Sequence, residues 1–189
     1  MLQQKYKHLY EARLESIAEK IDITPNALTA AGFIITLIAS VTIAHSLFWG
    51  GVLILAGGFF DMLDGAVARV HNKSTEFGAF LDSVLDRYSD AFIFLGFTAH
   101  FFIIQSTTGI CLSLGTMVGA LLISYTRARA EGLGKECKIG MMERPERVVL
   151  LAIAAMTGWV QPIMGVLFIL THVTAMQRMY HVWKSMKRT

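Results

Sequence analysis

The chain has 189 residues, of which 54% are hydrophobic and 16% are charged, and its formal net charge at pH 7 is +3. A soluble domain carries about 25% charged residues, so this composition disfavours a soluble protein, and the high apolar content excludes intrinsic disorder. Two cysteines are too few for a disulfide scaffold, which leaves a small all-α integral membrane protein.

The first predicted element is an amphipathic helix over residues 2–21, because its apolar residues recur at helical spacing. We expect it to lie on the cytoplasmic surface of the membrane, with a solvated helix packed on the loops as the alternative. Residues 1–5 open a polar segment that lacks the apolar core region of a secretory signal peptide. Thr24 and Pro25 then predict the start of the first spanning helix, since threonine suits an N-cap and proline suits the first helical position.

Three stretches of 30 residues or more contain no Asp, Glu, Lys or Arg, and they cover residues 23–60, 91–126 and 148–177. One spanning helix needs about 20 apolar residues, so each stretch with its flanks accommodates two helices and a turn. The sequence therefore predicts six transmembrane helices arranged as three hairpins. We expect one membrane domain over residues 1–189, with the six-helix bundle at residues 24–183.

The turns of the hairpins are predicted near residues 48–51, 105–109 and 158–162, and all three are uncharged. All 17 Lys and Arg residues fall at the opposite end of the hairpins. By the positive-inside rule, that end and both termini face the cytoplasm. The sequence thus predicts a multi-pass protein of the cell membrane.

Four aspartates carry the predicted chemistry. Asp61 and Asp64 lie near the end of the second helix, and Asp82 and Asp86 lie near the start of the third. Residues three or four apart share a helix face. Because a short loop joins the two helices, we expect the helices to be neighbours and the two pairs of carboxylates to converge.

Converging carboxylates at membrane depth repel one another, and either protonation or divalent cations can relieve the repulsion. Oxygen ligands suit Mg²⁺ or Mn²⁺, and Ca²⁺ is compatible with them. Two metal ions match four carboxylates, as in sites that clamp phosphoryl groups. The alternative is that the aspartates cap helices or pair with Arg69 and Arg87.

The pattern Asp61-x2-Asp64-Gly65-x2-Ala68-Arg69-x8-Gly78-x3-Asp82-x3-Asp86 resembles the signature of the CDP-alcohol phosphotransferase family. The family's six-helix architecture also matches, so the resemblance covers essentially the whole chain. It implies an enzyme that moves a phosphatidyl-type group from a CDP-lipid to an alcohol and releases CMP. By this resemblance the metal ligands are Asp61, Asp64, Asp82 and Asp86, and Asp86 is also the general base.

The resemblance also implies a binding site for the nucleotide of the CDP-lipid. Gly65 and Gly78 let the nucleotide approach the backbone, and Arg69 offers a forked pair of donors to a phosphate. Helix packing is the alternative for the glycines, and an interfacial position is the alternative for Arg69. A Pro-Asn-x-x-Thr element of the family adds two residues near the nucleotide. The predicted set is Asn26, Thr29, Asp64, Gly65, Ala68, Arg69 and Gly78.

Four arginines mark the cytoplasmic ends of the fourth and fifth helices. Arginine suits bidentate phosphate binding, so the cluster favours a phosphorylated acceptor over a free alcohol, while positive-inside topology alone is the alternative. Residues 127–131 and 143–147 resemble the branch that makes phosphatidylinositol phosphate or its archaeal ether-lipid counterpart. That resemblance implies inositol 1-phosphate as the acceptor, with glycerol 3-phosphate as the second candidate. The predicted acceptor-binding residues are Arg127, Arg129, Arg144 and Arg147.

Some features leave alternatives open. Asp90, one turn beyond Asp86, is compatible with binding acceptor hydroxyls or with packing. Gly115 and Gly119 form a small-xxx-small pair that fits either internal packing or a dimer contact, and the resemblance implies a homodimer. Intramembrane carboxylates also occur in cation transporters, but that function does not explain the glycine and arginine spacing. Membrane lipids are expected partners, and nucleic acid is not.

Overall fold

The computed structural model describes residues 14–137 and 139–187. In these ranges the chain is helical and has no strand, in agreement with the predicted all-α fold. Residues 14–18 form a short helical segment. The long helices that follow are α1 (Pro25–His45), α2 (Leu47–Val70), α3 (Glu76–Ile103), α4 (Thr107–Glu131), α5 (Arg144–Thr157) and α6 (Val160–Met186).

Local signals mark the helix starts at one end of the bundle: side chains cap α3 and α5, whereas α1 starts with a proline and Thr24 makes no side-chain capping hydrogen bond. Helix α1 begins at Pro25 after Thr24, as predicted. Thr75 caps α3, because its hydroxyl accepts a hydrogen bond from the Gly78 amide at 3.0 Å. Glu143 and Glu146 form a capping box at the start of α5. This capping box makes Arg144 the first residue of α5.

Each long helix packs mainly against two others, in the cyclic order α1, α2, α5, α6, α4, α3. Helix α1 therefore packs against both α2 and α3, although the sequence predicted direct packing between α2 and α3. The antiparallel connections still bring the end of α2, the start of α3 and the start of α5 to one end of the bundle. That end contains the predicted site residues.

The first turn differs from the prediction. The chain turns at Ser46, and residues 48–51 lie inside α2. The glycines serve close packing instead: a β-carbon on Gly50 would lie 2.5 Å from the Ile43 side chain, and one on Gly51 would lie 2.9 Å from the Ala152 carbonyl oxygen. The second and third breaks agree with the prediction, since the helices are interrupted at residues 104–106 and 158–159.

Four of the long helices, α1, α2, α4 and α6, have the length and apolar composition of membrane spans. The outside of the bundle is rich in exposed apolar side chains such as Val41, Phe102 and Ile169, which suits contact with lipid. The protein is therefore a multi-pass membrane protein. Helix α3 differs because it carries several charges, and α5 differs because its 14 residues extend only about 21 Å.

The helical segment at residues 14–18 packs on the bundle. Leu14 and Ala18 are buried in one apolar cluster with Leu63, Ala66 and Val67 of α2. Residues 2–13 of the predicted amphipathic helix lie outside the described residues.

Gly115 and Gly119 take part in packing within the chain. A β-carbon on Gly115 would lie 2.5 Å from the Phe168 ring, and one on Gly119 would lie 2.8 Å from the Cβ atom of Thr171. Both neighbours belong to α6. The small-xxx-small pair thus lets α4 and α6 approach closely, which answers one of the questions that the sequence left open.

Candidate active site

Three of the four predicted carboxylates converge at the end of α2 and the start of α3. Asp61, Asp82 and Asp86 each offer a carboxylate oxygen, and these oxygens lie within 4.8 Å of one another. All three side chains are partly buried. Such a cluster of hard oxygen donors suits a divalent cation, because Mg²⁺ and Mn²⁺ prefer oxygen ligands.

Asp64 lies one turn beyond Asp61 on α2 and is only 4% exposed. Its Oδ2 atom is buried and has no hydrogen-bond partner among the described residues. A buried carboxylate oxygen without a partner is costly, and a bound cation would remove that cost. Two independent observations therefore fit a divalent cation at this end of the bundle: the cluster of three carboxylates and the unpaired oxygen of Asp64.

A first cavity of about 200 Å³ opens beside the carboxylate cluster, between the starts of α1 and α3 and the end of α2. Asp64 and Asp82 both contribute to its wall. All seven residues that the sequence predicted for nucleotide binding line this cavity: Asn26, Thr29, Asp64, Gly65, Ala68, Arg69 and Gly78.

The two glycines in this cavity have different surroundings. A β-carbon on Gly78 would lie 2.9 Å from the Thr75 hydroxyl that caps the same helix and 3.2 Å from Asn26 Oδ1 at the start of α1, so the missing side chain lets both groups pack closely. A β-carbon on Gly65 would meet only the flexible end of Arg69, at 3.3 Å. Gly65 therefore leaves its wall of the cavity open for a ligand, whereas Gly78 also has the packing role that the sequence left open.

A second cavity of about 160 Å³ lies on the other side of the cluster, where Asp86 and Asp90 form part of its wall. Five arginines line it, and three of them are predicted acceptor-binding residues. Arg129 is exposed and is not among the described residues that line this cavity. The five lining arginines are Arg87, Arg127, Arg144, Arg147 and Arg178.

Arg144 and Arg147 contact the aspartates directly. Arg144 Nη1 donates to Asp61 and lies 2.8 Å from Asp86 Oδ1, and Arg144 Nε lies 3.6 Å from Asp90 Oδ1. Arg147 is 1% exposed and donates through Nη2 to Asp90. The Nε and Nη1 atoms of Arg147 have no hydrogen-bond partner in the part of the chain that the structure describes. These buried, unpaired donors suit an anion in the cavity.

Sequence reasoning missed Arg178, which is 3% exposed on α6. Its Nε donates to the Ile139 carbonyl at 2.7 Å and its Nη1 donates to the Ile123 carbonyl at 2.8 Å. Arg178 therefore holds the segment before α5 against α4. In the structure, buried residues of α6 recur mostly every three or four positions and Arg178 continues that series, but the sequence alone does not show which face of α6 is buried. The series is Val160, Met164, Leu167, Thr171, Thr174, Ala175 and Arg178.

Comparison with known proteins identifies the family. Residues 22–177 match the model of the CDP-alcohol phosphatidyltransferase family. The chain is 40% identical to the archaetidylinositol phosphate synthase of Methanothermobacter thermautotrophicus, over 92% of this chain and 90% of that protein. It is 37% identical to the phosphatidylinositol phosphate synthase of Mycobacteroides abscessus, over 89% of this chain and 81% of that protein.

Solved structures agree with these relatives. The crystal structure of the Mycobacterium tuberculosis phosphatidylinositol phosphate synthase with CDP-DAG bound superposes with a TM-score of 0.83 at 30% identity, and the match covers 90% of this chain and 93% of that chain. The structure of the same enzyme with manganese and citrate gives a TM-score of 0.81, over 90% of this chain and 88% of that one. The chain belongs to the CDP-alcohol phosphatidyltransferase family and is a transferase of phospholipid synthesis.

Proposed function

We propose that this enzyme transfers a phosphatidyl- or archaetidyl-type group from a CDP-lipid to inositol 1-phosphate and releases CMP. The observation that carries the proposal is the position of the carboxylate cluster between two cavities. Asp82 lines the cavity with the predicted nucleotide residues, and Asp86 lines the cavity with the arginines. Donor and acceptor would therefore meet at the cluster from opposite sides.

The donor is assigned to the first cavity. Asn26, Thr29 and Arg69 would bind the nucleotide and its phosphates, while Gly65 and Gly78 would let it approach the helices. The related mycobacterial enzyme crystallised with CDP-DAG supports a CDP-lipid donor. The lipid of the donor is either ester-linked or ether-linked, since relatives of both kinds are similar to this chain.

The acceptor is assigned to the second cavity. Arg127, Arg144 and Arg147, which the sequence predicted, would bind its phosphate, and Arg87 and Arg178 also line the wall. A free alcohol would leave the buried donors of Arg147 unpaired, and unpaired buried donors are costly. This argument favours a phosphorylated acceptor, and the names of the related synthases favour inositol 1-phosphate over glycerol 3-phosphate.

Transfer requires one proton movement that this chain can supply. The acceptor hydroxyl oxygen forms a bond to the phosphorus that carries the lipid, its proton moves to a carboxylate oxygen of Asp86, and the bond from that phosphorus to CMP breaks. Asp86 suits the role of base because it lines the acceptor cavity beside the other carboxylates. When bound, divalent cations would neutralise the pyrophosphate and the leaving CMP.

We infer that the cations are Mg²⁺ or Mn²⁺, two in each site, held by Asp61, Asp64, Asp82 and Asp86. The oxygen cluster, the unpaired Asp64 oxygen and the manganese in the related crystal structure support this assignment. We also propose that the whole chain forms one membrane domain and assembles as a homodimer, as the family resemblance implies.

The acceptor is tested by CMP release from purified enzyme in lipid vesicles with Mg²⁺ and CDP-diacylglycerol or CDP-archaeol. We expect release with inositol 1-phosphate. Free inositol is the matched control, because it lacks only the phosphate, and it should give no release. Release with glycerol 3-phosphate alone would overturn the assigned acceptor and leave the reaction class in place. Release with free inositol would remove the phosphate-binding role of the arginines.

We further propose that all six long helices cross the cell membrane as three hairpins, with both termini and the active site in the cytoplasm. The clustering of Lys and Arg at the site end of the bundle supports this orientation. In a variant without Cys111 and Cys137, we expect Thr107→Cys to react with an impermeant maleimide in intact cells. Lys184→Cys, at the site end, should react only after permeabilisation. The reverse pattern would overturn the orientation.

A further inference from the structure

We propose that Arg144 couples the carboxylate cluster to the acceptor cavity, so that a cation bound by the carboxylates frees Arg144 for the acceptor's phosphate. The inference rests on the proposed function and adds a binding order to it: the cation binds before the phosphorylated acceptor. Arg144 would then bind the carboxylates before the cation arrives and the acceptor's phosphate afterwards.

The first support is the competition for the same carboxylates. Arg144 Nη1 contacts both Asp61 and Asp86, which are two of the three residues whose oxygens converge. A cation bound between these carboxylates would compete with the guanidinium for their oxygen lone pairs. The bound cation and the Arg144 guanidinium would also be two positive charges side by side in a partly buried site, where repulsion is poorly screened. Cation binding and this ion pair therefore oppose each other.

The second support is the position of Arg144 between the two sites. It is the first residue of α5 and lines the arginine cavity, while its guanidinium reaches the carboxylates. Its Nε atom is buried and has no hydrogen-bond partner within the described ranges. A phosphate oxygen in the cavity would supply that partner. Because Arg144 already lines the cavity, a rotation of its side chain would bring the guanidinium from the carboxylates to a phosphate there without a movement of α5.

The third support is the contrast with Arg147, one turn further along α5. Arg147 is nearly fully buried, whereas the Arg144 side chain is 21% exposed. Among the residues that the structure describes, Arg147 pairs with Asp90 alone, whereas Arg144 contacts three aspartates, two of which are proposed cation ligands. Arg147 would thus be a fixed anion-binding group, and Arg144 the group whose availability depends on the cation.

Coupling of this kind is reciprocal: if the cation raises the affinity for an anion, the anion raises the affinity for the cation by the same factor. Direct attraction between the bound cation and the bound anion would also make each raise the affinity for the other, even without Arg144. An Arg144→Gln variant separates these two causes of coupling. It keeps the direct attraction between cation and anion, but it has no guanidinium that the cation could release.

The test uses the purified full-length protein in detergent, with Mn²⁺ binding followed by electron paramagnetic resonance. Sulfate serves as the anion probe, and its binding is measured by calorimetry with and without Mn²⁺. In the wild-type protein we expect Mn²⁺ to raise sulfate affinity by at least about fivefold, the lower end of ordinary coupling between sites. In Arg144→Gln, Mn²⁺ should bind at least about fivefold more tightly without sulfate, and the coupling should fall below about twofold.

Two controls accompany the variant. Lys184→Gln removes one positive charge from an exposed position at the end of α6 and should behave as the wild type. Arg144→Lys keeps the charge beside the carboxylates and should bind Mn²⁺ with nearly wild-type affinity. Equal Mn²⁺ affinity and equal coupling in the wild type and Arg144→Gln would overturn the inference and leave the cation site intact.

A wild-type protein that binds no Mn²⁺ would overturn the proposed cation site and the inference with it. Size-exclusion elution and thermal unfolding show whether Arg144→Gln is folded. If it is not, the wild type and Arg144→Lys decide: no coupling in the wild type, or tight Mn²⁺ binding by the lysine variant, would overturn the inference.

Discussion

Asp82→Asn is expected to abolish CMP release, with a loss on the order of 10³-fold, which is typical when a group that stabilises developing charge is removed. Asp82 is one of the three converging carboxylates and also lines the proposed nucleotide cavity. An amide is a neutral and weaker ligand than a carboxylate. The variant should therefore lose both cation affinity and the positioning of the pyrophosphate.

The same substitution should not lower thermal stability. Asp82 lies among other carboxylates, so removing its charge relieves repulsion in the protein without bound cation. We expect the melting temperature without metal to be unchanged or higher, and the stabilisation by Mn²⁺ to be smaller than in the wild type. Asp22→Asn is the matched control, because it removes a carboxylate whose side chain is fully exposed. Asp82→Asn activity within tenfold of the wild type would remove Asp82 from the site.

Local signals in the sequence were sufficient to predict the start of α1 and the faces of the site helices. The Thr24–Pro25 pair marks the start of α1, and the three- and four-residue spacing of the aspartates gives each pair a common face. Family resemblance added the nucleotide residues, which line one cavity. These features depend on residues close together in sequence, where spacing defines geometry.

Features that depend on which helices are neighbours could not be predicted in this way. Gly50 and Gly51 were interpreted as a turn, whereas they allow close contact with Ile43 and with α5. Helix α1 packs against both α2 and α3, an arrangement that loop length does not reveal. Arg178 was counted among the positive-inside charges, yet it is buried and binds two carbonyl oxygens of distant segments. The sequence alone does not distinguish a glycine in a turn from a glycine in a helix contact, or an exposed arginine from a buried one.

Arg147→Met is expected to lower both the stability of the protein and its affinity for the acceptor. The guanidinium is almost fully buried and pairs with Asp90, so the variant removes the close partner of a buried charge and leaves it the longer contact with Arg144 Nε, at 3.6 Å. Breaking a buried ion pair from one side costs about 3–5 kcal/mol. Acceptor affinity should fall by about 10- to 100-fold, because a hydrogen bond to a charged group contributes about 1.5–3 kcal/mol. Unfolding in detergent and the KM for the acceptor measure the two effects.

A second substitution separates structural from functional loss. In the Arg147→Met, Asp90→Leu double variant both members of the pair are apolar, so much of the lost stability should return. The affinity for the phosphorylated acceptor should not return, because no donor has been restored, whereas the KM for the CDP-lipid should stay close to that of the wild type. A double variant that regains acceptor affinity together with stability would show that Arg147 only supports the fold. Binding of the acceptor's phosphate would then depend on the other arginines that line the cavity, on α3, α4, α6 and the first position of α5.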